Sequence, residues 1–216
     1  FSRQIRIRDL YGHYDLSGEL AFKDNFYSII GPRQGMAALV YTGTAGSFIY
    51  NDANTTEIRT WCALENIWIT APNLTSGTLI NWKSFQFGRI RNVWLSATVN
   101  VGVVALDIAG HWVGSTAVTE GTYNIIDGCY IGNCSTCVRL QDGANNNTFS
   151  NTRFQPAVAG GAGIFFLGSD YDRINCVKIT ACGFEYPGGI SNGVSIFSGT
   201  RGVFIEGCRF ELLANG

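Results

Sequence analysis

At 216 residues the chain has the length of one or two domains, and a single domain over 1–216 is expected. Lys and Arg (15) nearly balance Asp and Glu (16), so neither a basic nucleic-acid surface nor an acidic tail is implied. With 46% hydrophobic and 13% aromatic residues the chain can bury a large core, yet no apolar run approaches the roughly 18 residues of a membrane span.

The 27 glycines exceed the usual share of about 7%, whereas four prolines exclude collagen and Pro-rich linkers. The chain opens at Phe1 with Gln4-Ile5-Arg6-Ile7-Arg8, which already alternates like a strand, and no leader peptide is visible. We therefore expect a piece of a longer polypeptide, with amino-terminal and carboxy-terminal parts missing.

Strand-like pieces then recur in order. Residues 67–69 (Ile-Trp-Ile) and 93–95 (Val-Trp-Leu) look like early copies of 124–131, 147–154, 177–184 and 203–210. Their second inward residue falls at 69, 95, 126, 149, 179 and 205, in steps of 26, 31, 23, 30 and 26. A second family trails each piece, at 79–80, 104–108, 138–140, 164–167 and 194–197. Period-2 alternation means strands rather than helices, and a repeat near 27 residues means a solenoid whose every coil makes a full turn. The expected fold is all-β, a right-handed single-stranded parallel β-helix of about eight coils. An immunoglobulin-like sandwich is the competitor, since it too has frequent turns, but its strands need not resemble one another.

In this register Cys129, Cys182 and Cys208 share one inward slot with Thr152, and Asn124 shares another with Asn147. Buried thiols and backbone-bonded amides explain both columns. Cys134-Ser135-Thr136-Cys137 has no second Cys pair or nearby His to complete a zinc set, and no helix follows it, so neither metal nor redox cofactor is expected.

The amino-terminal third carries a more specific pattern. Leu16-Ser17-Gly18-Glu19-Leu20 is followed by Tyr27-Ser28-Ile29-Ile30-Gly31-Pro32-Arg33-Gln34-Gly35, then Ala38-Leu39-Val40-Tyr41-Thr42-Gly43, then Ile67-Trp68-Ile69. This order resembles the pectate-lyase-like β-helix domain of bacteriophage tailspikes, over about 5–210. The Pro-Gly-x-Tyr strand motif usual in that family is missing. The resemblance implies a homotrimeric virion spike or tail fibre, associated with other tail proteins. It would bind, and in many members also cleave, a host capsule or lipopolysaccharide, with no nucleic acid and no membrane insertion. The alternative is a secreted bacterial polysaccharide lyase or glycoside hydrolase of the same fold, extracellular rather than virion-borne. A purely structural β-helix is a third reading.

Candidate chemistry lies on outward columns. Glu185 and Glu211 should sit on adjacent coils about 4.8 Å apart, the carboxylate spacing glycoside cleavage uses, unless they are a salt-bridge cluster or a cation site. Arg153 and Arg209 share the neighbouring column and could neutralise that pair or hold an acidic sugar. Asp170 and Asp172, in a Gly-Ser-Asp corner, are a second acidic candidate, with turn chemistry as the plain alternative. Asp127 and Glu206 share a column three coils apart. Trp68 and Trp94 should point outward and stack, at a trimer interface or as a glycan platform. Trp82, His111 and Trp112 are placed at corners as sugar-binding candidates, although a lone histidine such as His111 or His13 is equally a solvated turn residue.

Overall fold

The computed structural model describes residues 6–7, 12–23, 25–32, 37–51, 57–113, 116–141, 143–167, 174–187, 192–197 and 199–213. Among them the chain is all β. Three parallel sheets run the length of the stack, with eight, eight and seven strands. One coil contributes, for example, Ala63–Glu65 to the first sheet, Ile67–Thr70 to the second and Gly77–Lys83 to the third. The next repeats the circuit with Arg89–Arg91, Trp94–Ser96 and Val103–Ala109. The chain is thus a β-solenoid, and parallel pairing throughout the three large sheets excludes the sandwich. Because the third sheet has seven strands, complete turns are fewer than the eight expected.

The motif behind each rung is seven residues long: inward, outward, corner, inward, outward, inward, outward. The corner residue has positive φ in six rungs: Asn66 (54°), Asn92 (50°), Gly128 (62°), Asn151 (48°), Ala181 (52°) and Gly207 (61°). Left-handed backbone costs an ordinary L-residue about 1–2 kcal/mol, and Gly and Asn tolerate it best. That is why they recur there, and why the first-sheet strands that precede these six corners stop after three residues.

Registered pairing stacks Leu64, Ile90, Ile126, Phe149, Ile179 and Ile205 in one column. Ile69, Leu95, Ile131, Phe154, Phe184 and Phe210 form another. The sequence register therefore slipped at one place. Residues 69 and 95 belong above 131, not 126, and the true step from Ile90 to Ile126 is 36 residues. Two inward pairs flank each corner, so a five-residue slip preserves the apolar pattern. The extra length is an antiparallel hairpin, His111–Val113 with Thr116–Thr119, inserted before the next rung.

The cysteine slot has a polar reason as well as an apolar one. It follows the corner, within reach of the carbonyl two residues back. Cys129, Cys182 and Cys208 direct Sγ to Asp127, Thr180 and Glu206 carbonyls (3.3, 3.3 and 3.5 Å), and Thr152 Oγ1 donates to Ser150 at 2.8 Å. Burial pushes the Cys129 thiol up to about 12 and Cys182 to about 11, so neither is a nucleophile near neutrality. Cys134 and Cys137 are buried free thiols with sulfurs 3.8 Å apart.

The asparagine slot is a buried network. Asn124 Oδ1 accepts from Trp82 Nε1 and the Gly88 N–H, both at 3.0 Å. Its Nδ2 donates to the Phe85 carbonyl and Asn147 Oδ1, both at 3.0 Å. Asn147 Oδ1 also accepts the Asn124 N–H at 2.9 Å, and its own Nδ2 donates to the Gly121 carbonyl at 2.9 Å. Asn124→Leu would leave an indole N–H, an amide N–H and a carbonyl buried without partners. Each such loss costs about 1–3 kcal/mol. Urea titration should show a loss of about 3 kcal/mol or more; a loss no larger than that of an exposed-site control would contradict the network.

Candidate functional site

The second sheet presents its outward residues as two columns, read directly from strand pairing. One runs Trp68, Trp94, Tyr130, Arg153, Gly183, Arg209. Beside it, Thr70, Ser96, Gly132 and Gln155 lead toward Glu185 and Glu211. The upper half of the face is aromatic and the lower half is charged.

Trp68 and Trp94 point outward as expected, but meet edge to face, with centroids 5.4 Å apart at 87°. The stacking partner of Trp94 is Tyr130, at 3.9 Å and 26°, which the sequence reading did not single out. Below it the Arg153 guanidinium lies 5.7 Å from the Tyr130 ring centre, within cation–π range. Tyr130 Oη donates to Gln155 Oε1 at 2.6 Å. Burial raises the Tyr130 hydroxyl above its ordinary value, keeping it a donor.

Glu185 and Glu211 are registered neighbours, and Arg209 bridges them while Arg153 pairs with Glu185 from the preceding rung. The Glu185 carboxylate is 6% exposed and forms an ion pair with Arg153 Nη2. Its other oxygen lies 3.7 Å from Arg209 Nη2, which also contacts Glu211 Oε2 at 3.1 Å. A carboxylate facing two guanidiniums is well placed as an ion-pair partner. Gly183 separates the two arginines in their column, and no atom lies within 4 Å of where its Cβ would be. The result is a cleft of about 300 Å³ bordered by Arg153, Gly183, Glu185, Gly207 and Arg209. Both guanidiniums are more than half exposed at its rim. Chemically it offers guanidinium N–H donors whose charge the Glu185 and Glu211 carboxylates balance.

Other candidates fall elsewhere. Trp82 is a correction: it is wholly buried, stacked on Phe85 at 4.0 Å and bonded to Asn124, and cannot reach a ligand. Its strand continues to Lys83, so the corner comes at Ser84 (φ 61°), two residues later than expected. His111 is half-buried and opens the hairpin opposite Thr119. The Trp112 side chain lies outside the described residues, as do Asp170 and Asp172. His13 is exposed, with Nε2 3.0 Å from Asp15 Oδ1. Among the described residues no group of three or more His, Cys, Asp or Glu could hold a metal ion.

Two polar clusters were not anticipated. On the third sheet Asp107, 4% exposed, is gripped by Arg139 (3.1 and 2.6 Å) and by Gln141 Nε2 (3.0 Å). These are i, i+2 residues on adjacent rungs, a signal the correct register would have revealed. On the first sheet Asp127 accepts from Asn151 Nδ2 (2.9 Å) and Ser150 Oγ (2.8 Å), with Arg91 Nε 3.6 Å away. Glu206 lies in the same column beyond Ser150 and Thr180, as read from the sequence.

No family model matches this chain, and a comparison with curated proteins finds no match. Among solved structures, three resemble it to different degrees. ORF18 of Geobacillus virus E2 is 14% identical, with a TM-score of 0.50 over 97% of this chain and 54% of its own. This chain therefore spans about half the length of the viral protein. A protein described as a glycosyl hydrolase from Parabacteroides merdae is 13% identical, with a TM-score of 0.39 over 95% of this chain and 82% of its own. The Azotobacter vinelandii mannuronan C-5 epimerase AlgE4 A-module is 9% identical, with a TM-score of 0.25 over 98% and 88%.

The Asn151 and Ser150 hydrogen bonds, then Arg91, hold the Asp127 carboxyl below its ordinary value. A group depressed in the folded state stabilises above its unfolded value and loses that contribution as pH falls through the folded one. Between about pH 5 and pH 2 the unfolding free energy should therefore fall more steeply in the native protein than in Asp127→Asn. Equal slopes in denaturant titrations would contradict this coupling.

Proposed function

We propose that this chain is the β-helical part of a phage tailspike or tail fibre that binds an acidic polysaccharide of the host surface, capsule or lipopolysaccharide. The motif order in the amino-terminal third supports that reading, and the solenoid fold shared with a viral protein agrees with it. The observation that carries the binding role is the cleft at Gly183. Two arginines flank the one position in their column without a side chain, and buried Glu185 orients both. Guanidinium forks suit carboxylates and sulfates of sugars, and a stiff rod keeps them aligned along a polymer. Assembly into a homotrimer through the Trp68–Trp94 column belongs to the same proposal. Binding, rather than cleavage, is the better-supported activity, because Glu185 and Glu211 are both engaged by arginine.

The test is host polysaccharide binding, measured with and without carboxyl reduction of the glycan. Arg153→Ala with Arg209→Ala should weaken capture at least tenfold, about 1.4 kcal/mol, with weaker salt dependence. Undiminished binding by that variant would remove the cleft from recognition. No new reducing ends are expected; if they form and vanish in Glu185→Gln or Glu211→Gln, those carboxylates are catalytic after all. Light scattering should return three copies, and a monomer would overturn the virion reading.

A further inference from the structure

A second aromatic ladder stands on the other side of the first sheet. Trp61, Phe87 and Tyr123 stack in consecutive rungs, with centroids 5.0 and 5.2 Å apart and planes within 14° and 6°. Each precedes a ring of the second-sheet column by seven residues, so the two ladders bracket the same three rungs. All three ladder residues are 40–56% exposed. All three also have positive φ, at 60°, 54° and 58°.

That last fact is the informative one. The corner recurs along the stack with positive φ at Phe26, Asn146, Cys176 and Gly202 as well. The hydrogen-bond ladder puts them in one column: the Trp61 N–H donates to Gln86, Phe87 to Thr122, Tyr123 to Asn145, Asn146 to Asn175. Later rungs use asparagine, cysteine and glycine there. Four successive rungs, from Phe26 to Tyr123, instead carry large rings in an unfavourable backbone state, and the last three leave them exposed, so neither backbone preference nor the core accounts for those three.

Beside the rings runs a groove of about 240 Å³, floored by Cys62, Ala63 and Gly88 and closed opposite by Arg89 and Ile125. Arg89 is already bound to Glu65 at 2.5 Å, so this wall offers N–H donors without net charge. Ring surface of roughly 300–400 Å² is exposed, well short of the about 800 Å² per partner of a stable protein interface. Size and chemistry both suit a ligand of one or two sugar rings.

We propose that the Trp61–Phe87–Tyr123 groove is a second carbohydrate site, taking a neutral pyranose whose C–H face packs on the rings while its hydroxyls meet Arg89. It rests on the reading of the chain as a glycan binder but uses none of the cleft residues. The test titrates cellohexaose, maltohexaose, mannohexaose and galactohexaose against the full chain, following indole N–H resonances by NMR. At least one should move the Trp61 signal with a Kd of about 1–10 mM. Phe87→Gly with Tyr123→Gly should weaken that titration at least tenfold with the fold retained, since glycine suits both backbone positions. If the double variant unfolds, Tyr123→Gly alone is held to a threefold loss. Arg153→Ala with Arg209→Ala should titrate like the native protein, which separates failure here from failure of the acidic cleft. A Trp61 signal that none of the four sugars moves would overturn the site. So would titration that survives loss of the rings, or a lowered oligomeric state in the glycine variant, which would assign the ladder to a contact between copies.

Discussion

Parallel hydrogen bonding between successive rungs is the constraint from which the rest follows. Strands in register bring each residue about 4.8 Å from its equivalent in the next rung. Residues some 23–36 positions apart thereby become contacts. Every column must then be chemically tolerable as a column: apolar above apolar inside, and rings, amides or opposite charges above one another outside. The left-handed corners keep that register, because each turns the chain by the same amount after the same number of residues.

Burial is divided accordingly. Phe149, Phe154, Phe166 and Phe184 are wholly buried, whereas Ile205 and Phe210, in the last described rung, are 45% and 52% exposed. They occupy the same columns as their buried equivalents, so their exposure reflects the absence of a neighbouring rung among the described residues rather than a different orientation. Polar groups inside are also matched: the thiols add a weak donor to corner carbonyls, and Asn124 engages both donors and two acceptor positions.

The outer surface is organised by the same stacking. Like charges meet in one column, Glu185 above Glu211, and arginine set beside carboxylate offsets the repulsion: Arg153 and Arg209 around Glu185, with Arg139 on Asp107 and Arg91 near Asp127 elsewhere. The stiffness of a solenoid then makes a column of side chains into a ruler. Two aromatic ladders and one arginine cleft lie at set spacings along the stack.

How much of this was legible in the sequence depended on register. Cys182 above Cys208, Glu185 above Glu211 and Asn124 above Asn147 were readable because those rungs carry near-identical motifs. The slip at Ile69 and Leu95 arose because two inward pairs flank each corner and the 111–119 hairpin hides the longer step. Trp82 was misplaced because a corner was assumed before the strand ended. Trp61, Phe87 and Tyr123 went unseen, since corner positions are ordinarily sought through Gly and Asn.

Alternation and recurrence in the chain by themselves determined that it is a parallel solenoid and which residues face inward, because both are local properties of strands. Which outward groups meet was decided only by the tertiary structure. The identity of a vertical neighbour depends on the exact length of every coil, and on where a guanidinium swings to find its carboxylate. Neither quantity is encoded in any short stretch of residues.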